Sequence, residues 1–416
     1  MKSSGWKVFG CVILTALFLP AIGGFGQETE TNPPATLPQS PPSKLIEMNG
    51  NVRFSGERAL EMKSGWAMFL RPGQRVELEV TPAKESPLGT EIDIPQGLDQ
   101  AKTYLARRGH TFRWEISAGA VDKFLPSGVM WKAPQKAGTC KISSLLTDEA
   151  AFSRIQPDKK ILAERNILGT FVFHFLVMYP FDRDGPGVIE GYPIGIYPNE
   201  ESEEARDPVA SHRKAYTPPE YFVKITPEIA AVPISEHFTL GDFSPESDKD
   251  KIHFIALDPS LVQKLEELIR GLQGKGIELN GLKILRGYLS PNEVERLKRK
   301  GIDVATFSRS IYGDSAIFII DEDDDGIMDD LNSDGAVNRA DMAIVAEVVE
   351  SLEDKNRNYG GLGIYFQFKD PVHKDTPCFQ IDSRGWRSRW GMDLYETEEE
   401  EESPQAEEKT GGEHEN

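Results

Sequence analysis

The stretch Ser308–Met342, "SRSIYGDSAIFIIDEDDDGIMDDLNSDGAVNRADM", joins two kinds of chemistry. Its first part runs into five consecutive apolar residues, Ala316 to Ile320, the pattern of a buried strand. Its second part sets oxygen-bearing residues at fixed intervals. Asp330, Asn332, Asp334, Ala336, Asn338 and Asp341 stand at positions 1, 3, 5, 7, 9 and 12 of one frame, with Gly335 at position 6. That spacing surrounds a hard cation with oxygen donors; Ala336 gives a backbone carbonyl and the glycine makes the sharp turn. Just upstream Asp321, Asp323, Asp325, Ile327 and Asp329 repeat the frame, with Gly326 at its sixth position and Asn332 at its twelfth. Carboxylates crowded this closely repel one another, and a bound cation relieves the repulsion. Oxygen-only donors select calcium over zinc, so calcium is the expected ion at both loops.

The rest of the chain sets the context. A chain of 416 residues is too long for one ordinary core and implies two folded domains with additional segments. Lys2 and Lys7, an apolar run from Val8 to Ile22 and the small-residue end Gly24-Phe25-Gly26 read as a signal peptide over 1–26. Export follows, to a secreted or periplasmic location, with no membrane insertion once the signal is cleaved; an uncleaved anchor is the alternative. Cys11 lies inside that segment, which leaves Cys140 and Cys378 in different expected domains, where a bridge is open but not expected. A net charge of −20 opposes phosphate backbones and anionic lipid, so nucleic-acid and membrane-surface binding are excluded as expectations. Residues 27–43, rich in Pro, Thr and Ser, read as an extended linker, and 393–416 as a disordered acidic tail.

Between these ends the periodicity changes once. From 44 to 180 short β-prone runs separated by turn residues ("VELEV" at 76–80, "FRWEI" at 112–116, "GVMWK" at 128–132, "TFVFHFLVM" at 170–178) predict an all-β sandwich with Trp114 and Trp131 in its core. A Pro/Tyr/Gly-rich connector over 181–235 reads as a surface segment. After it, "LDPSLVQKLEELIRGLQGKG" predicts a helix: Asp258 caps it, Pro259 opens it, and Leu261, Leu265, Leu268, Ile269 and Leu272 share one face. "LKILRGY" and "AIFII" read as strands, which makes the region 236–392 α+β.

Several segments in this order carry a resemblance: "EHFTLGDF" at 236–243, "RGYLSPNE" at 286–293, "SRSIYGDSAIF" at 308–318, "GGLGIY" at 360–365 and "CFQIDSRGWRSRW" at 378–390. Together they resemble the zinc D-Ala-D-Ala carboxypeptidases and related peptidoglycan peptidases. "WEISAGAVDKFLPSGVMWKAPQKAGTCKI" is similar to the bacterial immunoglobulin-like domains, and the loop at 330–341 to the EF-hand-type loops of dockerin modules. The implied fold is an immunoglobulin-like sandwich followed by an α+β zinc-peptidase-like domain with a calcium-loop insertion at 321–341.

The resemblance also assigns roles, and the sequence departs from them. The family's SxHxxGxAxD motif binds zinc through its His and Asp, and those positions here are Ser310 and Ile317. The late HxD or HxH motif falls on Gln380-Ile381-Asp382, which keeps only Asp382, and the substrate-gripping Arg of SGYRSP is Leu289. A zinc hydrolase needs three protein ligands, an open position and a proton-moving carboxylate. Zinc is therefore not expected. Asp321, four residues along a strand from Ile317, lies roughly 13 Å away and cannot replace it; His373 is a remote substitute. Arg286 and Arg309 remain as cations for a bound carboxylate, while Trp386 and Trp390 read as packing residues.

The implied function is an exported, catalytically inactive, calcium-stabilised protein that binds cell-wall peptide or an envelope protein partner. The alternatives are an active zinc carboxypeptidase with relocated ligands and a structural or assembly protein of the cell envelope.

Overall fold

Side chains that alternate between apolar and polar build the first half of the fold. The computed structural model describes residues 46–83, 110–148, 167–198, 212, 215–245, 248, 250–302, 304–367 and 373–391; the expected signal segment, linker and acidic tail lie outside the described residues. Strands β1 (Met48–Phe54), β2 (Leu60–Met62), β4 (Arg75–Pro82), β6 (Ala120–Leu125) and β7 (Gly128–Lys132) form one sheet in the order β2-β1-β4-β7-β6. A second sheet, β3-β9-β8-β5, uses β3 (Ala67–Leu70), β5 (His110–Ile116), β8 (Gly138–Asp148) and β9 (Ile167–Val177), with β3 parallel to β9. Along β9 the alternate residues Phe171, Phe173 and Phe175 point inward and are fully buried against Val52, Leu78 and Trp131 of the other sheet. Trp131 stacks on Phe175 at 5.2 Å and donates its indole N–H to the Ala118 carbonyl. Trp114 is only partly buried.

Cys140 sits in this core and Cys378 in the other, both buried and unbridged. Burial pushes the Cys378 thiol up to about 12, which leaves it inert.

The segment expected to run over the surface is instead packed. Short strands β10 (Tyr179–Pro180), β11 (Val188–Ile189), β12 (Tyr192–Pro193), β13 (Tyr221–Ile225) and β14 (His253–Ile255) form a hairpin, β11-β12, and a small sheet, β10-β13-β14. Ile194 and Phe222 are fully buried, and the Tyr197 hydroxyl donates to the Ile311 carbonyl at 2.8 Å. Apolar side chains spaced between the prolines and glycines give this segment its own anchors.

The second half is layered. After the single turn α1 (Pro227–Ala230) comes α2 (Pro259–Gly274), whose first turn is capped by Asp258 accepting from the Ser260 amide. Its five leucine and isoleucine positions 261, 265, 268, 269 and 272 are fully buried, each contributing roughly 1.5–3 kcal/mol. The remaining elements are β15 (Lys283–Arg286), α3 (Pro291–Arg299), β16 (Ser315–Ile319), α4 (Arg339–Asn356), β17 (Gly361–Tyr365), β18 (Cys378–Asp382) and β19 (Ser388–Gly391). The strands form a sheet in the order β15-β16-β18-β17-β19, antiparallel except for the β17–β19 pair. Phe318, Phe379, Ile381 and Leu362 share one core with α2 and α4. Gly271 lets those helices approach, because a Cβ there would press on Val348. Ala67 and Leu176 of the sandwich strands belong to the same core, and the Ala67 amide donates to the Pro233 carbonyl.

A buried ion cluster ties this layer together. Lys264 of α2 donates to Glu353 of α4 at 2.7 Å and to the Asp382 carbonyl at 3.1 Å. Glu353 is fully buried and also accepts from Arg387, Arg389 and the Gly360 amide. Burial alone would raise the Glu353 carboxyl, but Lys264 and Arg389 hold it below its ordinary value. Removing one partner strands a buried charge. Lys264→Met is therefore expected to cost about 3–5 kcal/mol in chemical denaturation. Lys275→Met, at the exposed Lys275–Glu347 pair, should cost less than about 1 kcal/mol. Equal losses from the two would contradict the role given to the cluster.

Candidate functional site: an arginine-lined cleft and two acidic loops

One row of residues crosses the whole sheet. Arg286 on β15 pairs with Ile317 on β16, Ile317 with Gln380 on β18, Gln380 with Gly363 on β17, and Gly363 with Trp390 on β19. Paired residues in register point to the same face. All but Gly363 line a cleft of about 710 Å³, closed on another side by Phe307, Ser308, Arg309 and Ser310. Gly363 has its own part: a Cβ there would collide with the Trp390 indole, which lies over it. The indole N–H donates to the Tyr365 hydroxyl (2.6 Å), that hydroxyl to Gln380 Oε1 (3.2 Å), and Gln380 Nε2 to Ser315 Oγ (2.9 Å). This chain fixes the orientation of the Gln380 amide and occupies its oxygen.

The cleft gathers some of the expected positions and not others. Ser310, Ile317 and Gln380, distant in sequence, converge on it. Leu289 does not: it is buried with Val294, Leu297 and Ile311 in a small separate core, so the expected anchor position now packs α3. Asp382 is also outside the cleft. Its fully buried carboxylate accepts from the Gly361 amide at 2.7 Å and from Arg384, so this retained position holds strands rather than facing the cleft. Neither Asp321 nor His373 lines the cleft, and among the described residues its lining contains no His, Cys, Asp or Glu.

Three arginines give the cleft its electrostatic character. Arg309, nearly buried, donates Nε and Nη2 to Asp314 and Nη1 to the Ala215 carbonyl, with Tyr216 and Tyr312 flanking its guanidinium at 5.2 and 4.6 Å. Arg384 grips Asp382 through Nε and Nη2 and lies 5.7 and 5.1 Å from the rings of Trp386 and Trp390. A guanidinium carries five N–H donors, so each pair leaves donors beyond those its carboxylate takes. Arg286 completes the set from the far end of the row. Trp390, expected as a packing residue, forms a cleft wall; Tyr365 and Gln367 were not legible as cleft residues at all. The one sequence signal for the wall is the alternation of Gly361 and Gly363, which clears a flat strip for a ring.

The acidic loops lie beyond the other end of β16. They repeat one hydrogen-bond pattern nine residues apart. Asp321 accepts from the amides of Asp325 and Gly326, and Asp330 from those of Asp334 and Gly335. Gly326 and Gly335 have φ of +83° and +96°, conformations that favour glycine. Asp321, Asp323 and Asp325 bring carboxylate oxygens within 4.8 Å of one another. In the upstream loop Lys283 already holds Asp321 at 2.6 Å, together with Asp324, and Asp329 closes the loop by accepting from the Glu322 amide. Asn332 bonds to Asp334 in the downstream loop. Asn338 caps α4, and the buried Asp341 accepts from the amides of Leu331, Asn332 and Asn338. The carbonyl of Ile327 and that of Ala336 take the seventh positions. The oxygen set of Asp330, Asn332, Asp334, Ala336, Asn338 and Asp341 suits a hard divalent cation.

No family model, curated protein or solved structure matches the chain.

Burial pushes the Asp314 carboxyl up to about 6, against the pull of Arg309. The unfolded carboxyl titrates near 3.9. The folded state thus holds a proton between those values that the unfolded state has lost, and this contribution to stability, complete at low pH, disappears as pH rises through about 6. Carbon NMR of the Asp314 carboxyl is expected to show a midpoint near 6, and a midpoint at or below 4 contradicts the described burial.

Proposed function

We propose that the protein is an exported, non-catalytic, peptidase-like binding protein whose arginine-lined cleft receives the carboxylate end of a cell-wall peptide. The observation that carries this reading is the convergence of Ser310, Ile317 and Gln380, the positions that the peptidase resemblance gives to metal ligands, on one cleft. A hydroxyl, a hydrocarbon and a hydrogen-bonded amide are a poor zinc donor set, and no carboxylate among the described lining residues could move a proton. What the cleft offers instead is guanidinium groups, amides and aromatic faces. These match a planar carboxylate on a peptide, which guanidinium binds through paired N–H donors.

Calcium belongs to the same proposal as a structural ion. The downstream loop, Asp330 to Asp341, is its favoured seat, because in the upstream loop an ammonium from Lys283 competes for Asp321. An ion held there would fix the start of α4, whose Glu353 anchors the cluster under the cleft. Residues 1–26, with their lysines and apolar run, support a secreted or periplasmic location.

Calorimetric titration with a stem peptide ending in D-Ala-D-Ala tests the reading. Binding is expected, weakened about ten- to a hundredfold by Arg286→Gln, since one charge-assisted hydrogen bond contributes roughly 1.5–3 kcal/mol. No D-Ala should be released, with or without added zinc. Zinc-dependent release would refute the non-catalytic part, and binding unchanged by Arg286→Gln would refute the cleft.

A further inference from the structure

We propose that the groove between the sandwich and α2 is a binding site for an uncharged, largely apolar small molecule, oriented by the hydroxyl of Ser235. This site is separate from the arginine-lined cleft and independent of the function proposed for it. The groove has a volume of about 500 Å³, within the range of small-molecule sites, which favour the junctions of packed units. Its sandwich wall is made by Met62, Trp66, Met68 and Phe69, from β2, β3 and the turn between them. The opposite wall is a second stripe of α2. Pro259, Val262, Glu266 and Arg270 follow one another at intervals of three or four residues, while positions 261, 265, 268, 269 and 272 enter the core. Two contacts tie the walls: the Ala67 amide donates to the Pro233 carbonyl at 2.8 Å, and Lys63 pairs with Glu236 at 2.8 Å. Ile234 and Ser235, on the segment so tied, complete the lining.

Ser235 gives the groove its polar point. It is only 8% exposed, and its hydroxyl has no hydrogen-bond partner among the described residues. A buried polar group without a partner is costly, and a ligand that meets it removes the cost. The charges nearby are already matched. Glu266, buried, accepts from the His237 amide at 2.9 Å and faces His237 Nδ1 at 2.8 Å; Glu236 has Lys63, and the exposed Arg270 acts on the same Glu236. Glu61, the remaining acid of the lining, is exposed. Three acids against one arginine give an anionic ligand nothing to bind, and the paired charges leave a cationic one little. The rings of Trp66 and Phe69 and the pliable thioethers of Met62 and Met68 suit an apolar body without demanding one shape. The ligand class is therefore an apolar molecule with one neutral hydrogen-bonding group, placed against Ser235.

The test titrates the full chain with N-phenyl-1-naphthylamine, an uncharged aromatic amine with one N–H that fluoresces in apolar surroundings. The matched anionic probe is 1-anilinonaphthalene-8-sulfonate, which has the same rings and a sulfonate; about 0.5 M NaCl screens the net charge of the protein. Saturable binding of the uncharged probe is expected, about tenfold tighter than that of the sulfonate. Gln263→Trp, at an exposed position of the lining, should weaken it about tenfold by filling the groove. Ser235→Ala should weaken it about two- to tenfold, the worth of one neutral hydrogen bond. The same substitution should leave the melting temperature unchanged or raised, because the hydroxyl has no partner to lose. No saturable binding of the uncharged probe, or binding that neither substitution changes, overturns the site. Sulfonate binding as tight or tighter overturns the ligand class. A lowered melting temperature in Ser235→Ala gives the hydroxyl a structural role and overturns its part in orienting the ligand.

Discussion

Two fully buried carboxylates, Glu353 and Asp382, hold the second half of the molecule together. A buried carboxylate survives only when its oxygens are satisfied by charged or backbone donors. Glu353 has Lys264, Arg387, Arg389 and the Gly360 amide; Asp382 has Arg384 and the Gly361 amide. Through these partners α2, α4 and the last three strands are fixed to one another. The parallel strand β19 adds at the edge of the sheet, where Arg389 reaches back to Glu353. Trp390 then stands in place as a wall of the cleft, and Arg384, held by Asp382, lies against it.

This arrangement connects the two chemistries of the stretch Ser308–Met342. The acidic loop runs into α4: Asn338 caps the helix, Asp341 lies in its first turn, and α4 carries Glu353. A calcium ion in the loop would bear on the cleft through the helix, by fixing its start and hence the cluster under the sheet. In the cleft, positions that the peptidase resemblance reserves for a metal hold a hydroxyl, a hydrocarbon and a committed amide. In the proposed account the N–H donors for a substrate carboxylate come from Arg286, Arg309 and Arg384, the last two already ion-paired with Asp314 and Asp382. The metal chemistry and the anion chemistry occupy separate places in the proposed account.

What could be read in the sequence was local. The helix α2 was legible because its cap, its opening proline and its apolar face lie within twenty residues. The turns of the acidic loops were legible because Gly326 and Gly335, with the acids around them, recur at a fixed spacing along one segment. The cleft was not, since its row from Arg286 to Trp390 depends on the register of five strands separated by up to a hundred residues. Leu289 shows the same limit: motif position alone placed it at the site, while packing put it in a separate core. Asp382 was legible in part, because the ion pair it makes with Arg384 joins residues two apart in sequence. The connector misled for a compositional reason: its prolines and glycines concealed Ile194 and Tyr197, which anchor it.

The central claim is that the metal chemistry resides in the loops and not in the cleft. It is tested most directly by elemental analysis of the purified protein after dialysis against trace zinc with excess calcium. The account predicts tightly held calcium and no stoichiometric zinc. About one zinc per chain, retained after dialysis, would contradict it and return the cleft to hydrolytic chemistry.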